Sequence, residues 1–161
     1  MGANQRSANN SPDEEDVVRS VINEQAQALL RQQRCELQAV TSVADLERWR
    51  DRLVTANARR GGAFGCVLGS MVSQLADRDE RCRLLLAGYF AEWQRLVAAA
   101  LRRLQTCGEL ARDANPEELA TGLIAALQGG YVLSQASHDV DDMAAAIDVA
   151  LSRIRSYVIA E

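Results

Sequence analysis

The residues most open to a chemical role lie in one short stretch, Gly61 to Ser70, which reads GGAFGCVLGS. Glycine-rich stretches hold phosphate groups when a strand precedes them and a lysine follows them. No strand pattern precedes these glycines, and the 161-residue chain contains no lysine. Their spacing also differs from that of dinucleotide-binding turns. The sequence therefore excludes a Walker-type phosphate loop, and it excludes Schiff-base and pyridoxal chemistry, which require lysine.

Nucleophilic and metal-dependent chemistry also have little support. The four cysteines form no CxxC pair, and His138 is the only histidine, so no zinc-ligand spacing exists. His138 lies in the polar stretch QASHDVDD, where a surface or capping side chain is expected. Cys66 follows a glycine near a helix start, which can lower a thiol pKa, but we expect a small buried core residue. We predict no catalytic residue, no metal site and no cofactor, and hence no enzyme.

Composition indicates a helical protein with an aliphatic core. Hydrophobic residues make up 48% of the chain and charged residues 25%, whereas aromatic residues make up only 4%. The net charge of −4 does not favour nucleic acid as a partner of the whole surface. The apolar runs are too short to span a bilayer, and unclustered cysteines without a signal-peptide pattern indicate a reducing compartment. We therefore expect a cytoplasmic protein without a membrane partner.

Helix start signals recur along the chain and predict an all-α fold of about six helices. Each signal combines a capping residue with a carboxylate in the following turn. They are Ser11-Pro12-Asp13-Glu14, Ser42 with Asp45, Asp77 with Glu80, Asn115-Pro116-Glu117-Glu118, and Asp139 with Asp142.

Glycines and apolar periodicity complete this assignment. Gly61-Gly62 is predicted to end the second helix, a short third helix to run from near Phe64 to about Ala76, and Gly108 to end the long fourth helix. We interpret residues 1–11 as a flexible polar tail or an expression remnant. Residues 12–161 are predicted to form a single domain.

The fifth predicted helix carries small residues at strict four-residue spacing. Glycine inside a helix costs about 1 kcal/mol relative to alanine, so such a row should have a packing role. Two explanations stay open, packing within the chain and a two-fold dimer built from the last two helices, and we favour the dimer. The predicted interface combines the small-residue row with an apolar stripe on the last helix: Gly122, Ala126, Gly130, Ser134, Met143, Ile147, Ala150, Ile154 and Tyr157.

The order of several short motifs adds a resemblance to a known family. From about residue 17 to residue 159 the chain resembles the C-terminal regulatory domain of TetR-family transcriptional regulators. The similar segments, in order, are LERWRDRL, GCVLGS, FAEW, CGEL, NPEELA and LIAALQGGYVLSQAS. The segment SPDEEDVVRSVI is similar to the junction at which that family's DNA-binding head meets its first regulatory helix.

The resemblance implies an all-α domain that binds a small-molecule effector and dimerises through its last two helices. It favours a repressor that is released by a small apolar or aromatic ligand. It also implies a pocket framed by the first, second, fourth and fifth helices. Helical phase selects the following candidates for its wall: Gln25, Leu29, Trp49, Leu53, Phe90, Trp93, Val97, Leu127, Gln128 and Tyr131.

One departure from the family pattern bears on DNA binding. TetR-type regulators carry an N-terminal helix-turn-helix of about 45 residues, and no recognition helix is predicted ahead of the first helix here. We expect the chain to form homodimers and to reach operator DNA only through such a head, which appears absent. The alternative is a free-standing helical dimer that pairs with a full-length regulator and senses no small molecule.

Overall fold

The computed structural model describes residues 12–62 and 65–159. Within these ranges the regular elements are six α-helices joined by short loops, together with one isolated antiparallel bridge between Leu110 and Val158. The all-α prediction is confirmed. The helices are α1 (Pro12–Gln38), α2 (Val43–Ala58), α3 (Val67–Leu75), α4 (Glu80–Thr106), α5 (Pro116–Ser137) and α6 (Asp141–Arg155).

The capping signals place the starts of α2 and α5 correctly, whereas α6 begins after Val140 and not after the predicted cap Asp139. Ser42 and Asp45 form a reciprocal capping box at the start of α2. The Asn115 side chain accepts hydrogen bonds from two backbone N–H groups in the first turn of α5, at 3.1 and 3.2 Å. At α4 the cap is Asp79 instead of the expected Asp77. The predicted cap Ser11 and the rest of the tail lie outside the described residues.

The glycine-rich stretch between Gly61 and Ser70 contains the end of α2 and the start of α3. Gly61 and Gly62 adopt φ values of 64° and 66°, a left-handed conformation that glycine adopts without steric cost. The backbone N–H of Gly62 then bonds to the Asn57 carbonyl and closes α2. The third helix begins at Val67, later than expected, because the backbone of Cys66 is extended. Phe64, where the start was predicted, is outside the described residues.

α4 is the central helix of the domain. It packs against α1, α3 and α5, while α6 packs along α5 and also touches α2. Two tryptophans, Trp49 on α2 and Trp93 on α4, are fully buried among leucines and alanines. Burial of one leucine side chain stabilises the fold by about 1.5 to 3 kcal/mol, so this largely aliphatic core is sufficient despite its few aromatic residues. None of the described helices is long and apolar enough to cross a membrane.

The α5–α6 pair is held in close contact at one glycine. A Cβ atom added to Gly130 would lie 2.9 Å from the Cα atom of Met143, which belongs to the α6 backbone. Real Cβ atoms do not approach a backbone atom this closely. Gly130 is therefore the position at which α5 admits α6, and its small size serves packing inside one chain.

Candidate ligand-binding site

A cavity of about 670 Å³ lies between the first five helices. This volume falls within the range of small-molecule sites in proteins. About half of the described lining residues are polar. The lining consists of Gln25, Ala28, Leu29, Gln32 and Gln33 from α1, Leu53, Ala56, Asn57 and Arg60 at the end of α2, Gly65, Cys66, Val67 and Ser70 around the start of α3, Trp93 from α4, and Tyr131 and Gln135 from α5.

Helical spacing explains why these side chains converge. On α1 the lining positions Gln25, Leu29 and Gln32 are separated by four and three residues, which places them on one face. Leu53 and Asn57 show the same spacing on α2, and Tyr131 and Gln135 show it on α5. Each helix therefore turns one mixed face toward the cavity and uses its other faces for the core or for solvent.

The two buried tryptophans differ in how their indole N–H groups are satisfied. Trp49 Nε1 donates a hydrogen bond to Gln33 Oε1 at 2.9 Å, within the core. Trp93 Nε1 has no hydrogen-bond partner among the described residues, although Trp93 is only 1% exposed. An unmade hydrogen bond at a buried polar group costs about 1 to 3 kcal/mol. Trp93 is a lining residue of the cavity, but its Nε1 atom has almost no accessible surface and offers no donor there.

Asn57 connects the cavity to the α5–α6 pair. Its Nδ2 donates to Ser134 Oγ at 3.0 Å on α5 and contacts Met143 Sδ at 3.3 Å on α6. Its Oδ1 has no partner among the described residues, and the residue is 3% exposed. Asn57 therefore connects the cavity wall to the packing of α5 and α6, while its Oδ1 is enclosed by protein.

The charge of the cavity comes from a single described residue. Arg60 is exposed and forms no ion pair with a described carboxylate. Burial raises the pKa of the Tyr131 phenol to about 12 and also raises the pKa of the Cys66 thiol. Both groups are therefore uncharged near neutral pH, and Cys66 lacks the thiolate that a reactive cysteine requires.

Two glycines before and within α3 leave room for glutamine side chains of α5. A Cβ added to Gly65 would lie 2.7 Å from Gln135 Oε1, and one added to Gly69 would lie 2.7 Å from Gln128 Oε1. Both oxygens are the ends of flexible side chains, and α3 itself packs chiefly against α4 and α1. The described part of the glycine stretch thus contributes to the cavity wall.

Half of the pocket candidates chosen by helical phase lie at the cavity wall. These are Gln25, Leu29, Leu53, Trp93 and Tyr131. The other five do not line it, and for them the prediction of a wall position is wrong. Trp49, Val97 and Leu127 are buried in the core, Phe90 stacks against Trp93 with ring centroids 6.5 Å apart, and Gln128 lies over Gly69. Ligand contact by the five wall residues stays a prediction.

Sequence reasoning missed several polar wall residues, above all Gln32, Asn57 and Arg60. Gln32 could have been found, because it lies seven residues after Gln25, nearly two helical turns along the same face. Asn57 and Arg60 follow Leu53 at the same kind of spacing on α2. No local signal, however, distinguishes a polar residue at a cavity wall from one on a solvated helix face.

The candidates for the dimer interface are mostly packed inside the chain. Five of the nine are buried in the monomer: Gly130, Ser134, Met143, Ile147 and Ile154. Ala126, Ala150 and Tyr157 are half-buried, and only Gly122 is exposed. Packing within the chain accounts for the burial of these five residues, and dimer contact of the nine candidates stays a prediction.

The row of small residues from Gly122 to Ser134 does not stay on one face of α5, because an α-helix has 3.6 residues per turn. Each four-residue step rotates about 40° around the axis, so the row turns about 120° between Gly122 and Ser134. It begins on the outside of α5, where a Cβ added to Gly122 meets nothing within 4 Å, and ends against α2 and α6. The exposed face of α5 instead carries Ala125, Gly129, Val132 and Leu133.

The residues considered for catalysis are not assembled into a site. His138 is exposed at the end of α5, where its left-handed backbone (φ 57°) ends the helix. Across residues 12–62 and 65–159, no group of three or more His, Cys, Asp or Glu side chains is arranged to hold a metal ion.

Comparison with known proteins gives the family. Residues 42–150 match the model of the family described as "Tetracyclin repressor-like, C-terminal domain". The transcriptional regulator AcuR of Cereibacter sphaeroides is 36% identical over 63 residues, which is 39% of this chain and 29% of that protein. The chain thus matches less than a third of the length of that relative.

A solved structure supports the fold. The crystal structure of regulatory protein TetR from Rhodobacter sphaeroides superposes with a TM-score of 0.77 at 20% identity, over 87% of this chain and 73% of that one. The family match covers well over half of the chain, in the region that forms α2 to most of α6. The chain belongs to the family of tetracyclin repressor-like C-terminal domains, which are parts of transcriptional regulators.

Proposed function

We propose that residues 12–159 form the effector-binding and dimerisation part of a TetR-like transcriptional regulator, a repressor that a small molecule releases. The observation that carries this proposal is the cavity of about 670 Å³, which five helices frame and which combines apolar side chains with several amide groups. Small-molecule sites are typically built from apolar surface with a few polar groups.

The chemistry of the cavity favours a ligand with both apolar and polar groups. Leu29, Leu53 and Trp93 offer apolar surface, while the amides of Gln25, Gln32 and Gln135 surround it with hydrogen-bonding groups. The lining is thus more polar than the sequence-based expectation of an apolar or aromatic ligand. Binding without catalysis is proposed, as is a cytoplasmic location, where a transcriptional regulator meets DNA.

A thermal-shift screen of neutral, acidic and basic small molecules tests ligand binding. A ligand that binds only the folded state raises the melting temperature. Ala28→Trp places a large ring at the cavity wall from an exposed position and should abolish these shifts. Ala91→Trp, at an exposed position of α4 outside the lining, is the matched control. The ligand proposal fails if no compound shifts the wild type, or if both variants respond equally.

We also propose that a second copy of the chain covers the outer face of α5 and α6. The exposed apolar side chains there include Val132, Leu133 and Val149, which are 66%, 55% and 72% exposed. Small neighbours such as Gly122 and Gly129 leave open space beside them. Large exposed apolar groups on adjacent helices are typical of an interface between subunits.

Sedimentation at tens of micromolar tests this dimer. Val149→Glu should shift the wild-type dimer toward monomer, because it would bury a charge without a partner. Leu84→Glu is the matched control, since Leu84 is 56% exposed on α4, away from this face. A wild-type monomer, or a Val149→Glu protein that remains fully dimeric, contradicts the proposed interface.

In a complete regulator the two sites would be coupled through Asn57. A ligand in the cavity would lie beside Asn57, the lining residue that also bonds Ser134 on α5, one of the proposed dimer helices. Allosteric control requires differential contacts of this kind in two states. With its net charge of −4, the chain is not proposed to bind operator DNA by itself.

A further inference from the structure

The charges around the cavity indicate which small molecules, among neutral, acidic and basic ones, it would bind. Arg60 is the one formally charged residue in the described lining, and the lining contains no carboxylate. Its remaining polar groups are neutral: glutamine and asparagine amides, the Ser70 hydroxyl, and the Tyr131 and Cys66 groups discussed above. The cavity therefore presents one positive charge and no compensating negative one, within a chain whose net charge is −4.

The arginine is available to a ligand. The neighbouring arginines on α2 are engaged: Arg50 binds Asp148 and Arg52 binds Glu36. Arg60 pairs with none of the described carboxylates and donates none of the side-chain hydrogen bonds found among described residues. Its guanidinium offers five N–H donors in a planar fork that matches a carboxylate.

Apolar side chains form the wall beside this charge. Leu29, Leu53 and Trp93 supply apolar surface in the same cavity. The indole N–H of Trp93 is enclosed by protein and has almost no accessible surface, so it offers no donor to a ligand. The positive charge therefore selects for an anion, and the apolar wall selects for an apolar body.

We propose that the effector is an organic acid, a carboxylate with an apolar body, whose negative charge pairs with Arg60 and whose apolar body packs against Leu29, Leu53 and Trp93. This inference rests on the proposed function, because it specifies the ligand of the same cavity. A cationic ligand is disfavoured, since it would meet Arg60 without a carboxylate to pair with. A neutral ligand would leave the guanidinium without its matching partner.

Three compounds with one apolar body separate charge from shape. They are 2-naphthylacetate, 2-naphthylacetamide and 2-(2-naphthyl)ethylamine, measured by calorimetry in the same buffer. Water screens an ion pair made by an exposed arginine, so the acid should bind about two- to fivefold tighter than the amide. The amine should bind most weakly. The preference for the acid should also shrink as salt is raised, because Arg60 is exposed.

Two matched arginine variants test whether Arg60 causes the preference for the acid over the amide. Arg60→Gln should abolish the preference of the acid over the amide, while Arg59→Gln should preserve it. Arg59 is the adjacent exposed arginine and does not line the cavity.

The outcomes test the organic-acid inference separately from the proposed function of ligand sensing. Equal binding of acid and amide, or a preference that survives in Arg60→Gln, overturns the organic-acid assignment while ligand binding to the cavity stands. So does a screen in which only neutral or basic compounds shift the melting temperature. If neither the three compounds nor the broader screen yields any binding, the assignment and the proposed sensing function both fall.

Discussion

Alanine substitutions at two glycines should have opposite effects on stability. Gly88 on α4 and Gly130 on α5 both lie inside long helices, so replacing either with alanine gains about 1 kcal/mol of helix propensity. A Cβ on Gly88 meets nothing within 4 Å. A Cβ on Gly130 meets the Cα of Met143 at 2.9 Å and two further Met143 atoms at 3.3 Å.

The size of the effect follows from the nature of these neighbours. The nearest Met143 atom is backbone, so a change of side-chain rotamer cannot relieve the clash and α6 must move away from α5. Overpacking of this kind costs about 1 to 3 kcal/mol. The propensity gain is common to both variants and cancels in their difference. Gly130→Ala should therefore be less stable than Gly88→Ala by about 1 to 3 kcal/mol.

Urea unfolding measures this difference in free energy and thermal unfolding measures it as a shift in melting temperature, both at one fixed protein concentration. Each kcal/mol corresponds to about 2 to 4 °C in melting temperature for a domain of this size. Gly88→Ala should exceed the wild type, and Gly130→Ala should fall below Gly88→Ala by at least about 2 °C. Equal stability of the two variants would refute the argument that Gly130 exists to admit the α6 backbone.

Three further predictions concern charge and thiol chemistry. Hydrogen bonds from the Thr41 backbone and the Ser42 hydroxyl lower the pKa of Asp45. The stabilisation by Asp45 is therefore present above its unfolded pKa of about 3.9 and is lost as pH falls toward its folded pKa. In a series of melting temperatures from pH 7 to 2, Asp45→Asn should reduce this loss of stability at acid pH. Burial raises the pKa of Cys82 to about 11 and also that of Cys66, so both should react slowly with a thiol reagent until the protein unfolds. Asp148→Asn should lower the free energy of unfolding in urea by about 0.5 to 1 kcal/mol, because it removes a bidentate ion pair with Arg50. The effect is small because the Asp148 carboxylate is 48% exposed and water screens its charge.

Each of these predictions has a control inside the chain. Asp113→Asn, at an exposed loop position, should leave the loss of stability at acid pH unchanged, and an equal effect would contradict the role of the Asp45 capping box. Cys35 and Cys107 are exposed and should react quickly, so uniform reactivity of all four thiols would contradict the burial. Asp51→Asn removes a single contact to Arg50 from a 66% exposed carboxylate and should cost less than Asp148→Asn.

Local sequence signals predicted the helices well because the physical causes are local. Capping by Ser42 and Asn115 and the left-handed turn at Gly61-Gly62 act within a few residues, so they can be read directly from the chain. Where two signals competed, local reasoning was less accurate. Asp79, rather than Asp77, caps α4, because its side chain reaches the backbone N–H groups of Arg81 and Cys82.

The candidate site was predicted only in part, because a wall position depends on distant segments. Leu29 and Tyr131 were placed at the cavity by helical phase, and the same method misplaced Trp49 and Val97. Phase fixes which residues share a face but not whether that face meets solid core or open space. That distinction arises from the depth at which five helices pack around one another.

The sequence by itself determined the class of fold, the helix ends, the absence of lysine chemistry and the resemblance to a regulatory domain. The tertiary structure alone decided which small residues serve the α5–α6 contact and which face outward. It also decided that the indole N–H of Trp49 bonds to Gln33, while that of Trp93 has no partner among the described residues. The reason is that capping and periodicity are properties of neighbouring residues, whereas a cavity and the surroundings of a buried side chain arise between helices that are far apart in the chain.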